Sequence, residues 1–350
     1  MKEKLKIGFS ALVGVALAGL LALYPLDYYI MKPGGAYEIG QFVAVADGDI
    51  DDEGTMNLMT IAMMQASPLT YALSYVLPNR ELLKTEEVRY EDEDDEAYNI
   101  RQMKLMTDSQ FNAKYVAFGL AGKDVDVTSN GIFVLNVLRE SAADGILQPG
   151  DEIIQIAGRT IETTEDVQAV LRNREQGEQI VLSISRGSKV LEETVTLKHL
   201  PGEERVGVGI TYAGNQTIDT TPEVTMKADD IGGPSAGLMF TLEIYNQLVE
   251  EDITKGYHVA GTGEMLMDGT VGRIGGVDYK VIAADRDNMD IFFVPDDVIT
   301  DEMREFDATV QSNYEEALRT AKHIDTDMKI IPVKTVQDAL HYLDSLPPKE

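Results

Sequence analysis

The spacing of apolar residues changes several times along the chain, and each change predicts a new element. From Ile7 to Leu26 the residues are uncharged and almost wholly apolar, a run about 30 Å long as a helix and enough to span a bilayer. Lys2, Lys4 and Lys6 precede it; basic flanks stay in the cytoplasm, so Asp27 and everything beyond it is expected outside. A cleaved signal peptide would have to use Ala16-Leu17-Ala18, which lies inside the apolar run and would leave a greasy new terminus, so an uncleaved anchor is expected. Met31-Lys32-Pro33-Gly34-Gly35 then reads as a helix break, and Ile39, Phe42, Val43 and Val45 as strand-like. The Asp47–Glu53 segment lacks the glycine and the final glutamate of a calcium loop and is read as a solvated turn. From Leu82 to Ala117 the spacing is helix-like, interrupted by the acidic run 91–96. Adjacent like charges are expected to form an exposed loop or frayed helix end, with a weak cation patch as the functional alternative.

A second unit is clearer. Gly131-Ile132-Phe133-Val134 opens an extended run, Ser141 to Gly145 stops a helix, and Gln148-Pro149-Gly150-Asp151 turns the chain. Ile153, Ile154 and Ile156 predict a strand, Thr164-Glu165-Asp166 starts a helix through Val167, Val170 and Leu171, and 179–186 is strand again. Further on, Pro234 suits a first helical turn, followed by a mostly buried helix through Leu238, Phe240, Leu242 and Ile244. A mixed α+β fold follows.

The 350 residues suggest two or three domains at about 150 residues each. A content of 44% hydrophobic residues excludes wholesale disorder. Sixty acidic against 30 basic residues give a net charge of -30, which repels phosphates and argues against nucleic acid. With no cysteine there is no disulfide, thiolate metal site or cysteine nucleophile, which suits an exported protein.

The candidate chemistry lies in Gly232-Gly233-Pro234-Ser235-Ala236-Gly237. A serine there stands beside unpaired amides at the positive end of a helix, where an oxyanion would be stabilised. A small-residue turn before a helix is by itself more often packing. The hydroxyl also needs a base, and His199, His258, His323 and His341 have no triad-like neighbours. Gly261-Thr262-Gly263-Glu264 and the glycine-rich 268–278 segment instead lead to Lys280. A lysine amine serves as base if burial lowers its pKa.

Two resemblances follow from these motifs. Residues 125–197, with the passage SAADGILQPGDEIIQIAGR, resemble bacterial PDZ domains. That resemblance implies a peptide added to a sheet edge at Gly131, Ile132, Phe133 and Val134. The PSAG serine, the TGE and IGG blocks and the following lysine resemble the proteolytic domain of the Lon family. By that resemblance Ser235 is the nucleophile, Lys280 the general base and Thr262 an orienting hydroxyl flanked structurally by Glu264, with Pro234 and Ala236 in support. Gly232 departs from the acidic residue many Lon proteins carry there. No GxxxxGK[ST] phosphate loop is present, Gly122-Lys123 being followed by Asp124, so no ATP, cofactor or metal is expected.

The order anchor, PDZ unit, Lon unit resembles the membrane-anchored, ATP-independent PDZ-Lon peptidases of Gram-positive bacteria, a group associated with processing of extracellular, including signalling, peptides. The implied organisation is 1–29 cytoplasmic tip and transmembrane anchor, 30–123 an extracellular segment packing on the protease, 124–200 PDZ, and 201–350 Lon-type. The implied function is a cell-membrane serine endopeptidase with extracellular domains, acting on peptides or unfolded protein, with oligomerisation left open. The alternative is a non-catalytic PDZ receptor at the cell surface.

Overall fold

The computed structural model describes residues 2–49, 53–90, 92–200, 203–228 and 231–349. Residues 50–52 of the Asp47–Glu53 turn and Glu91 of the acidic run lie outside the described residues, as do the side chains of Lys2 and Lys4. The first helix, Lys2–Leu23, stops short of Leu26. Its Lys6–Leu23 window has mean hydropathy 2.0 and is long and apolar enough to cross a membrane by length and composition.

A six-stranded sheet follows, in the order Lys329–Val333, Ile291–Pro295, His258–Gly261, Thr55–Gln65, Tyr28–Glu38, Glu81–Lys84. The first four strands run parallel to one another and the last two pair antiparallel. The strands just after the first helix and those near the carboxyl end thus share one sheet. Met31–Gly35 lies within a strand instead of breaking the chain. A register shift between Pro33 and Ala36 absorbs the Gly-Gly pair. The pairing with Glu81–Lys84 stops at Met31, so Pro33 owes no hydrogen bond on that side.

Strand periodicity separates two cores. Leu58, Val259 and Phe293 face one side with the helices Gly237–Leu248, Asp95–Leu120 and Val336–Asp344. Met59, Ala260, Phe292 and Val294 face the other with Val277–Arg286 and Asn313–Ile324.

The PDZ sheet has the order Ile210–Thr220, Val125–Val137, Glu152–Ile156, Gln179–Arg186, Lys189–Thr196. Its core includes Ile132, Val134, Ile153, Ile156, Leu182 and Ile184. The helix Thr164–Leu171 forms where the sequence predicts it, with Thr163 and Asp166 in a capping box. Asp151 is fully buried and takes two hydrogen bonds from Arg186, at 2.7 and 2.8 Å. Strand Ile210–Thr220 belongs to this sheet, across the 200/201 boundary expected from the sequence.

The acidic run is not a self-repelling loop among the described residues. Glu93 is buried and accepts from Arg101 at 2.6 and 2.8 Å. Asp94 caps the helix Asp95–Leu120 through the Ala97 amide. Asp92 pairs with Arg139 of the PDZ sheet at 3.2 Å, and Asp95 pairs with Arg89. Clustered carboxylates are tolerated because Asp92, Glu93, Asp94 and Asp95 each have their own cation or amide partner. The same helix also meets the PDZ sheet where the Lys104 amine stands 5.8 Å from the Phe133 ring centre.

Candidate active site

The strand His258–Gly261 ends between the two helix layers, and Thr262 prolongs it by one bond from its N–H to the Phe293 carbonyl, 3.0 Å. Carboxyl ends of parallel strands are where open α/β sheets hold their sites. From one layer comes the turn 233–236, leading into Gly237–Leu248; from the other comes Lys280, in the first turn of Val277–Arg286.

Two backbone bonds lock the serine turn to the Thr262 segment: Gly263 N–H to Ser235 O at 2.9 Å and Leu238 N–H to Gly263 O at 3.0 Å. The helix Asp95–Leu120 braces the turn from behind. Ser109 Oγ donates to Pro234 O at 3.0 Å, Gln102 O accepts from Gly233 N–H at 3.0 Å, and Asn112 Nδ2 donates to Met265 O at 2.8 Å. Gly237 has no substitute here, since a Cβ would sit 2.6 Å from Met265 N. Across the site, the fully buried Asn313 clamps Ile274 with bonds of 2.8 and 3.0 Å to its backbone. That fixes the approach to the lysine helix, whose first cap is Gly276 at φ 66°.

Ser235 Oγ and Lys280 Nζ are 2.6 Å apart. Lys280 is 2% exposed while Ser235 is half-exposed, so the hydroxyl opens outward and the amine sits beneath it. Burial pushes the Lys280 pKa down from 10.5 to about 7. Thr262 is fully buried; its Oγ1 donates to Ser235 O at 3.0 Å and lies 2.9 Å from Lys280 Nζ. With its proton on the carbonyl, Thr262 Oγ1 accepts from the amine, and a neutral amine so held turns its lone pair toward the serine hydroxyl. Pro234 supplies the carbonyl that Ser109 and Gly237 share, and Ala236 is the buried cap of the helix. Gly232 is exposed, with no carboxyl of its own. Half-buried carboxyls at Glu264 and Asp108 lie close by, both raised above the usual carboxylate range, chiefly by burial.

The structure corrects the peptide-binding residues expected in the PDZ unit. Ile132 and Phe133 lie in an interior strand, paired to Gly214 and Ala213 on one side and to Ile153 and Glu152 on the other. Ile132 and Val134 are fully buried, and a Cβ on Gly131 would sit 2.2 Å from Ile153 O. A strand with both edges paired has none left to offer a peptide. The sheet's end strands are Ile210–Thr220 and Lys189–Thr196, and the first of these borders a groove. Between Ile210, Tyr212 and the helix residues Val167, Gln168 and Leu171 runs a groove of about 620 Å³, lined also by Val206 to Gly209. The sequence carries a signal for it in the alternating Gly207-Val208-Gly209-Ile210.

Residues 220–343 match the C-terminal proteolytic domain of Lon protease (S16), and residues 109–185 match the PDZ domain. The chain is therefore a mixed α/β protein that carries a PDZ domain and a Lon-type proteolytic domain. It is 26% identical to the Lon protease of Aster yellows witches'-broom phytoplasma (strain AYWB) over 163 residues, 46% of this chain and 18% of that protein. It is 36% identical to Partitioning defective 3 homolog B of Mus musculus over 145 residues, 40% of this chain and 11% of that protein. The chain thus spans less than a fifth of either relative's length. The PDZ domain of the SdrC-like protein from Listeria monocytogenes aligns with 25% of this chain and 92% of its own, at 23% identity and TM-score 0.24.

Proposed function

We propose that this chain is a membrane-anchored serine endopeptidase that works without ATP, using Ser235 as nucleophile and Lys280 as general base. Its domains stand outside the cytoplasm, and its substrates are peptides and flexible protein segments. The observation that carries this reading is the buried amine 2.6 Å from a half-exposed serine hydroxyl. Ser235 Oγ attacks the peptide carbonyl carbon as its proton passes to Lys280 Nζ. The oxyanion is held by the amides of Ser235 and Ala236; the neighbouring amides of Gly237 and Leu238 are already bonded to Pro234 O and Gly263 O. The resulting ammonium returns the proton to the leaving amine nitrogen, and water, deprotonated by the same amine, releases the acyl group. A non-catalytic receptor would have no use for an uncharged lysine buried against a hydroxyl.

The full chain in detergent micelles, given flexible peptides and no nucleotide, is expected to yield new termini by mass spectrometry; intact peptides across a varied panel would overturn the reading. Protonating Lys280 removes the base. The rate should therefore fall about tenfold per unit as pH drops below about 7 and level off above it. A flat profile between roughly pH 5.5 and 8.5 would rule out an amine titrating near neutrality.

The PDZ groove receives substrate as an added strand along Ile210–Thr220. Leu171→Asp puts a charge into its apolar wall and should weaken peptide binding by about tenfold or more. Phe133→Ala, on the interior strand, should leave affinity within about twofold. The opposite ranking in a fluorescence-anisotropy titration would return the binding edge to 131–134.

A further inference from the structure

Beside the anchor lies a segment for which the peptidase reading has no use. No charged residue occurs between Glu53 and Arg80, in a chain that is 26% charged. Within that stretch Ser67 caps a seven-residue helix, Pro68–Ser74, none of whose residues is buried. Leu69, Leu73 and Leu77 stand exposed, and Tyr75 and Val76 are 73% and 77% exposed. So short a helix is not stable in water on its own propensity, and protein packing does not cover its apolar face. Its capping box with Thr70 fixes its start but shields nothing.

Position identifies the medium. The helix packs against the carboxyl end of Lys2–Leu23. Leu26 N–H donates to Ala66 O at 2.8 Å and Ala66 N–H to Tyr28 O at 2.7 Å, so the segment is tied to the point where the anchor leaves its apolar run. Three tyrosines form a ladder there: Tyr28 to Tyr71 at 5.1 Å and Tyr71 to Tyr75 at 5.6 Å between ring centres, both edge-on. Tyrosines with one apolar and one wet end gather at the headgroup level of a bilayer. The first charged residue after this stretch is Arg80, where a phosphate would meet it, followed by Glu81 and by Lys84 paired with Glu86 at 3.3 Å.

We infer that residues 67–77 form a second membrane contact, an apolar patch edged with tyrosines and seated in the phospholipid interface beside the anchor. The inference rests on the anchor reading. Its consequence is orientation: a single helix lets the outer domains swivel and tilt, whereas a second contact beside it fixes the height and facing of the protease over the lipid surface.

The absence of cysteine makes single-site labelling clean. Full chains carrying V76C, Y75C, V15C or F306C would be labelled with a polarity-sensitive fluorophore and placed in vesicles of phosphatidylcholine and phosphatidylglycerol. Iodide would then quench from water, and spin-labelled lipids from the bilayer. The expected result is strong quenching of the labels at 75 and 76 by lipid spin-labelled near the headgroup, of the label at 15 by deep spin labels, and of the label at 306 by iodide alone. Iodide access at 75 and 76 equal to that at 306, with 15 still in lipid, would overturn the second contact and leave the anchor standing. Labels at 75 and 76 shielded from iodide but untouched by lipid spin labels would also overturn it, in favour of a protein contact. A label at 15 open to iodide would end both readings.

Discussion

Ser235→Ala and Lys280→Met should each lower the rate of peptide cleavage by at least about 10³-fold, to a similar residual level. The reason is geometric. In the proposed dyad the hydroxyl and the amine, 2.6 Å apart, act as one unit, so removing either leaves the other without a reaction to perform. The double variant should be no slower than either single one, because effects within such a unit do not add. Single-turnover cleavage of a fluorogenic peptide measures it. A Lys280→Met variant within about tenfold of the wild type would mean that another group takes the serine proton.

The Lys280→Met variant should also fold more stably than the wild type, although it is inactive. Moving the amine's pKa from 10.5 to about 7 by burial corresponds, at about 1.4 kcal/mol per unit, to a penalty of roughly 4 to 5 kcal/mol on the folded state. Methionine fills a similar volume without that penalty. It forfeits the bonds to Ser235 and Thr262, each worth about 1 kcal/mol, so the expected net gain near pH 7 is about 2 to 3 kcal/mol. The sign follows from linkage. Between about 7 and 10.5 the unfolded chain holds a proton on this group that the folded chain lacks, so wild-type stability rises with pH through that window. The gap between variant and wild type should be widest at and below about pH 7 and narrow toward pH 10. Denaturant titrations at both ends of that range measure it; a gap that does not change with pH would mean that the amine stays charged in the fold. On the proposed mechanism, such a penalty is exchanged for a base that works at neutral pH.

The strongly periodic segments were readable from the chain alone. The apolar amino-terminal run, the capped helix at Thr164–Leu171 and the buried helix after Pro234 all form within a few residues of where their patterns put them. Misreadings came where a local signal was outvoted by partners distant in sequence. The Pro-Gly-Gly of Met31–Gly35 looks like a break, yet pairing with Thr55–Gln65 on one side and a register shift hold it in a sheet. The acidic run looks self-repelling, yet Arg101, Arg139, Arg89 and a helix amide divide its charges. Ser109, Gln102 and Asn112 gave no signal as braces of the serine turn, because a hydrogen bond to a backbone carbonyl or amide far along the chain leaves no local pattern.

Residue types set the chemistry available to this protein: one serine in a small-residue turn, one lysine after a glycine-rich stretch, no cysteine, no charge in the first apolar run. Those properties are covalent and need no fold to be read. Tertiary structure alone decided that 125–137 is an interior strand of the PDZ sheet and 210–220 an edge strand, because that depends on pairing between the two. It also decided that the lysine is dry, since desolvation comes from two helix layers closing over the end of a strand whose neighbours are drawn from both ends of the chain. Burial and edge pairing are sums over contacts distant in sequence, and no window of residues contains them.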